Sequence, residues 1–277
     1  MRIVNLDSWS DFEKNIEKKL QKEMEFQLAG PIVYRGHADA NWPLMTTLER
    51  YINKHLSVRS YYNIIKSVQS KIETFTDRKW DLPSYQDFIK AYKERPSAQD
   101  SSTYFYMTYL RHFGFPSPFL DWSYSPYVAA FFAFRDVSST AKSIAIYEYF
   151  AHVVSFQECV SEKVEIFPLA KSSQKNRRHE LQQSFYTVCL REVNGEVYYE
   201  SHESQQLMNE KNGAPITKYI LPASERLVAL QKLEAYNINA YSLFGSEESL
   251  LESLFTKIYK NAKVREKTTA LRDDEIW

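Results

Sequence analysis

Residues 111–135 read Arg-His-Phe-Gly-Phe-Pro-Ser-Pro-Phe-Leu-Asp-Trp-Ser-Tyr-Ser-Pro-Tyr-Val-Ala-Ala-Phe-Phe-Ala-Phe-Arg. Three kinds of local chemistry follow one another here. His112 to Pro118 is a turn-rich entry, in which Gly114 is free to take positive φ while Pro116 and Pro118 fix theirs. Phe119 to Trp122 is a short apolar run carrying one acid, Asp121. From Ser123 the pattern turns helical. Ser123 or Ser125 can cap the helix, and Pro126 suits its first turn, where the missing N–H costs nothing. Val128 to Phe134 are apolar on every side, as in an internal helix. Taken alone, the stretch is either a structural turn into a core helix or the wall of a site.

Upstream, Trp9, Phe12, Ile16 and Leu20 repeat at helical spacing among lysines, which predicts an amphipathic outer helix capped by Asp7 or Ser8 and running to about Phe26. Ile32-Val33-Tyr34 then reads as a buried strand leading into Arg35-Gly36-His37. An Arg directly after three β-formers, with a Gly beside it, puts a guanidinium at a strand end with room for a ligand. The alternative is a structural Arg paired with a core carboxylate. Helices follow over 60–75, 84–94 and 104–113, the last stopped by Gly114.

Downstream, residues 143–150, 184–190, 197–199 and 218–221 read as strands. Lys171 to Glu180 reads as a basic loop, Ala223 to Tyr236 as a helix, and Ile238 to Phe244 as strand-like. Ser246 caps a last helix to about Asn261. The expected fold is α+β, a single domain over 1–262 with a mainly antiparallel sheet. Its helices are concentrated in the N-terminal half and at the C-terminus, and a charged tail occupies 263–277.

Composition narrows the function classes. The 277 residues are 44% hydrophobic, 25% charged and 15% aromatic, with 20 Tyr and 17 Phe, and the formal net charge is zero. No global charge draws the chain to nucleic acid. Such binding would rest on two local clusters, residues 171–179 and the group Lys257, Lys260, Lys263 and Arg265. Only six Gly are present, and neither a phosphate loop nor a dinucleotide fingerprint can be placed. The six His are scattered, so no metal site is expected. Cys159 and Cys189 form neither a disulfide framework nor a zinc pattern. With no secretory or membrane-spanning apolar run, a cytoplasmic protein without a membrane partner is expected.

Tyr34-Arg35-Gly36, followed by His112-Phe-Gly-Phe-Pro and Leu120-Asp-Trp-Ser-Tyr-Ser-Pro126, resembles the FRG-domain family, and the resemblance covers roughly residues 5–245. Phe115 and Pro118 stand where that family usually has Leu and Arg. Ser184 stands where its third motif has Gly. A weaker resemblance links the Val-Tyr-Arg-Gly strand end and the Ser-x-Ser turn to arginine-type mono-ADP-ribosyltransferases. This second resemblance implies NAD as substrate, with no metal. It implies Arg35 as organiser of the NAD site, Ser123 and Ser125 as its supporting turn, and Tyr34, Trp122 or Tyr124 as stacking aromatics, with Gly36 beside them. A fixed negative charge would then steady the ribose cation. The enzymes' later Glu motif is missing; Gln183 sits in its place, and Asp121 is the substitute acid. A role in bacterial or phage conflict is implied by analogy alone. Three functions stay open: NAD-dependent transfer to a macromolecule or NAD hydrolysis, a non-catalytic nucleotide- or phosphate-sensing module, and nucleic-acid binding.

Overall fold

Eight strands form one sheet in the order β1-β8-β4-β2-β3-β6-β5, with β7 pairing the far end of β6. The computed structural model describes residues 1–25, 30–52, 55–94, 102–151, 164–169, 177–203 and 216–259. The strands are β1 (Arg2–Asn5), β2 (Ile32–His37), β3 (Phe119–Ser123), β4 (Ser143–Phe150), β5 (Glu165–Leu169), β6 (Ser184–Val193), β7 (Glu196–Tyr199) and β8 (Ile216–Pro222). Every pair is antiparallel except β1 with β8. The helices are α1 (Trp9–Glu25), α2 (Thr47–Tyr51), α3 (Val58–Thr76), α4 (Tyr85–Glu94), α5 (Ser102–His112), α6 (Pro126–Arg135), α7 (Arg177–Leu181), α8 (Arg226–Ala235) and α9 (Ala240–Phe244). A further helix, α10, covers 247–259.

The α+β reading and the antiparallel sheet are both present. Two local expectations change. Ile238 to Phe244 is not a strand: Asn239 caps α9 by accepting from the Ser242 N–H, Ser242 returns the bond, and Gly245 closes the turn at φ 66°. Those three end residues outweigh an apolar run too short to declare its period. Part of the basic loop is likewise helical, as α7. Strand β5 escaped sequence reading because Pro168 interrupts it. Proline is tolerated there because β5 lies at the end of the sheet. The charged tail at 263–277 and the basic residues 171–176 lie outside the described residues, as do Lys260, Lys263 and Arg265.

Alternation along the strands gives the sheet two apolar faces. Tyr34, Ile144, Ile146, Tyr219 and Leu221 pack with α1, α6, α8 and α9 in one cluster. Phe119, Tyr186, Val188 and Leu190 pack with α3, α4 and α5 in a second. Their neighbours in sequence, Val33, Leu120, Trp122, Tyr147, Phe185 and Cys189, turn the other way into a third. α6 lies closely on β2, and Gly36 is what permits it. A Cβ on Gly36 would fall 2.0 Å from the Ala129 carbonyl oxygen and 2.6 Å from the Ala133 nitrogen. Among the described residues no helix is long and apolar enough to cross a membrane.

Candidate functional site

Strands β2 and β3 meet at one registered pair, Tyr34 opposite Ser123. Each then continues with its other neighbour, β4 for β2 and β6 for β3. The parting leaves the Asp121 carbonyl without a ladder partner from β2, and Arg35 fills the gap. Its Nη1 donates to the Asp121 carbonyl oxygen at 2.7 Å, and its Nε donates to His37 Nε2 at 3.0 Å. A cavity of about 760 Å³ opens over this junction. Its walls come from the end of β2, from β3 and β6, and from helices α2, α5, α6 and α7.

The cavity is cationic. Four arginines line it, Arg35, Arg50, Arg111 and Arg178, against two acids, Asp121 and Asp136. The Asp121 carboxylate is held by both arms of Arg111, through Nε to Oδ1 and Nη2 to Oδ2. Arg111 reaches it because it sits in the last turn of α5, and its remaining arm donates to Thr47 Oγ1 at 3.2 Å. Burial alone would raise the Asp121 pKa, but Arg111, followed by Arg35, overcomes this and holds it below the ordinary value. Arg35 is farther from that carboxylate, at 3.9 Å. Burial pulls the Arg35 pKa down to about 10 in spite of Asp121, because a guanidinium with its water removed is poorly compensated by a carboxylate 3.9 Å away that Arg111 holds more closely. His37, which accepts from Arg35, is held neutral: burial first, then Arg35, lowers its pKa to about 3.

A second group meets at the same wall. His112 and His179 face each other through Nε2, with ring centroids 4.0 Å apart, and Tyr186 Oη bonds to His179 Nε2 at 2.7 Å. Burial, then His112, pulls His179 down to about 4, and burial also lowers His112. The pair is neutral at pH 7, so it adds polar atoms to the wall rather than charge. Among the described residues no three His, Cys, Asp or Glu side chains gather as a metal site.

The residues singled out in the sequence divide into two sets. Tyr34, Arg35, Gly36, Asp121, Trp122 and Ser123 line the cavity. Trp122 is buried and anchored, its Nε1 donating to Thr187 Oγ1 at 2.8 Å. Ser123 is a staple: its Oγ donates to the Gln182 carbonyl at 2.8 Å and accepts from the Ser125 N–H. Tyr124, Ser125 and Gln183 stand outside the lining. Tyr124 packs edge-on against Phe185. Ser125 caps α6 by accepting from the Val128 N–H, so the helix N-terminus is closed by its own residues. Gln183 is exposed in the turn before β6 at φ 49°, and its carbonyl accepts from Tyr124 N–H. Gln182 lines the cavity instead. The Gly36 vacancy serves α6, not a ligand.

Arg50, Arg111, His112 and Trp42 also line the cavity and are not among the site residues expected from the sequence. Arg111 and His112 head the 111–135 stretch, and their place just before the Gly114 turn was the available signal. Arg50 and Trp42 carried none, because only the return of the 38–50 segment over the sheet end puts them at the rim.

Residues 30–142 match the family model of the FRG domain. No curated protein and no solved structure gives a match to the chain. The matched part includes Arg35, Arg50, Arg111 and Asp121, while Arg178, Gln182 and Tyr186 come from beyond it.

Proposed function

We propose that the cavity to which residues 30–142, the stretch matching the FRG-domain model, contribute Arg35, Arg50 and Arg111 binds a phosphate-bearing nucleotide, with NAD the first candidate. The observation that carries this reading is the state of Arg35. Its guanidinium has five N–H donors, and among the described residues it makes two hydrogen bonds, to a neutral imidazole and a carbonyl. The nearest carboxylate is committed to Arg111. A buried cation so placed gains most from an anion delivered by a ligand, and a planar guanidinium matches a phosphate bidentately. Arg50 and Arg178 extend the positive wall. Trp42, 50% exposed at the rim, and Phe132 offer faces on which a base can stack.

The test is thermal unfolding of the full chain with NAD, ADP-ribose, AMP and pyrophosphate, alongside the Arg35→Lys and Arg35→Gln variants. A ligand at a hundred times its Kd stabilises by about 2.7 kcal/mol, a shift of several degrees. The shift is expected in the wild type, reduced in Arg35→Lys and lost in Arg35→Gln. No shift with any of the four compounds overturns the proposal.

One observation favours a second reading, cleavage of the nicotinamide–ribose bond of NAD. The Asp121 side chain remains 45% exposed although two arginines hold it, so it can still face a ribose carbon. Its charge is largely offset by Arg111, which weakens it as a partner for a developing cation. Nucleotide binding without catalysis is therefore the reading preferred. Nicotinamide release from NAD by the wild type, absent in Arg35→Gln, would reverse that order.

A further inference from the structure

Helix α10 carries its apolar residues on the wrong side for a helix docked by its apolar face. Its inner face is polar and packed: Ser249 is buried and bonded to Ser246, Ser253 Oγ accepts from the Tyr241 N–H at 2.9 Å, and Glu252 forms a bidentate pair with Arg135. Opposite lie Leu250, Leu251, Leu254, Phe255, Ile258 and Tyr259, between 38% and 69% exposed. At 100° per residue these six form one continuous stripe, centred about half a turn from Ser249. Within it Leu251, Leu254 and Ile258 keep the three-then-four spacing of a helix-pairing seam, with Leu250 and Phe255 flanking.

We propose that α10 pairs with α10 of a second copy of this chain, antiparallel, to form a two-fold dimer. Three observations select this occupant. The seam spacing suits another helix rather than a strand or a flat surface. The charges suit the antiparallel sense: Glu247 and Glu248 stand at the helix start, and Lys257 stands toward residue 259. An antiparallel neighbour sets the acidic end of each helix beside the basic end of the other, and a parallel one sets like beside like. The two-fold axis then passes between Leu251 and Leu254, placing each Leu251 across from the partner's Leu254. Area agrees as well. Six side chains, about half exposed, present on the order of 500 Å² per copy, toward the upper end of the apolar patch a monomer usually leaves. Two copies bury on the order of 1,000 Å², about the least that a specific interface buries.

The inner face of α10 is linked to the cavity wall. Phe244, at the end of α9, sits between the guanidiniums of Arg135 and Arg178, 4.7 and 4.5 Å from its ring centroid. Arg135 is the residue that holds Glu252 of α10, and Arg178 lines the cavity.

Sedimentation equilibrium of the full chain from about 1 to 100 µM tests the proposal. The wild type is expected to move from monomer to dimer in that range. Leu251→Asp/Ile258→Asp is expected to stay monomeric with unchanged circular dichroism and, at about 1 µM where both are monomeric, the Tm of the wild type, because both positions are exposed in the monomer. Leu227→Asp, on α8 and off the stripe, should dimerise as the wild type does. A wild type that stays monomeric throughout overturns the proposal, whatever else the stripe binds. So does a dimer that survives the double substitution.

Discussion

At the residue scale, Asp121 shows how one acid can be structural and still stand in a site. Its carbonyl closes the gap where β2 leaves β3, and its carboxylate neutralises Arg111, whose side chain is only 9% exposed. Asp121→Asn keeps the shape and leaves the buried Arg111 without its anionic partner; because the Asp121 side chain is 45% exposed and water screens the pair, chemical denaturation should show a loss of about 1–3 kcal/mol. Gly36→Ala should cost about 3 kcal/mol or more, since the atoms it meets are the α6 backbone, which cannot swing aside as a side chain can. The histidines set a pH dependence with one sign. His37 and His179 have folded pKa values of about 3 and 4, below the ordinary 6.5, so the unfolded chain takes up their protons first. Their contribution is complete above pH 6.5 and lost as pH falls toward 4. At pH 5 one such histidine accounts for about 2 kcal/mol. Urea unfolding at pH 7.5 and pH 5 should show the drop, and equal stability at the two would contradict it.

Among the elements, β2 was legible from its run of β-formers, and α6 because punctuation and periodicity agreed. Ser125 and Pro126 mark the start of α6, and the all-round apolar run after them marks it as internal. Ser125→Ala should lower stability by about 1 kcal/mol through loss of the cap, read from the unfolding midpoint. Strand β5 and helix α9 were not legible. Pro168 masks a strand that its place at the sheet end excuses, and α9 owes its form to Asn239, Ser242 and Gly245 rather than to an apolar period. Ser125 caps the first turn of α6 by accepting from the Val128 N–H, and the helix presents its flank, Ala129 and Phe132, to the cavity.

For the whole molecule, the cavity is a junction. α5 brings Arg111 and His112 from the helical cluster, α6 brings Phe132 from the other, and α2 and α7 supply Arg50 and Arg178. A ligand bridging these elements should slow amide exchange in α2 and α7 together, and protection confined to one of them would place the ligand elsewhere. Trp42→Ala should weaken AMP and NAD several-fold while leaving pyrophosphate unchanged, because only the former carry a base to stack. By itself the sequence determined the α+β class, the β2 segment with Arg35 at its end, and the buried character of α6. These follow from local pattern, which a short window contains. Only the tertiary structure decided that Asp121 belongs to Arg111, that Gln182 rather than Gln183 faces the cavity, and that Gly36 makes room for a helix. Each depends on which groups the parting of β2 from β3 brings within a few ångströms, and distance between segments far apart in the chain is not written in either one.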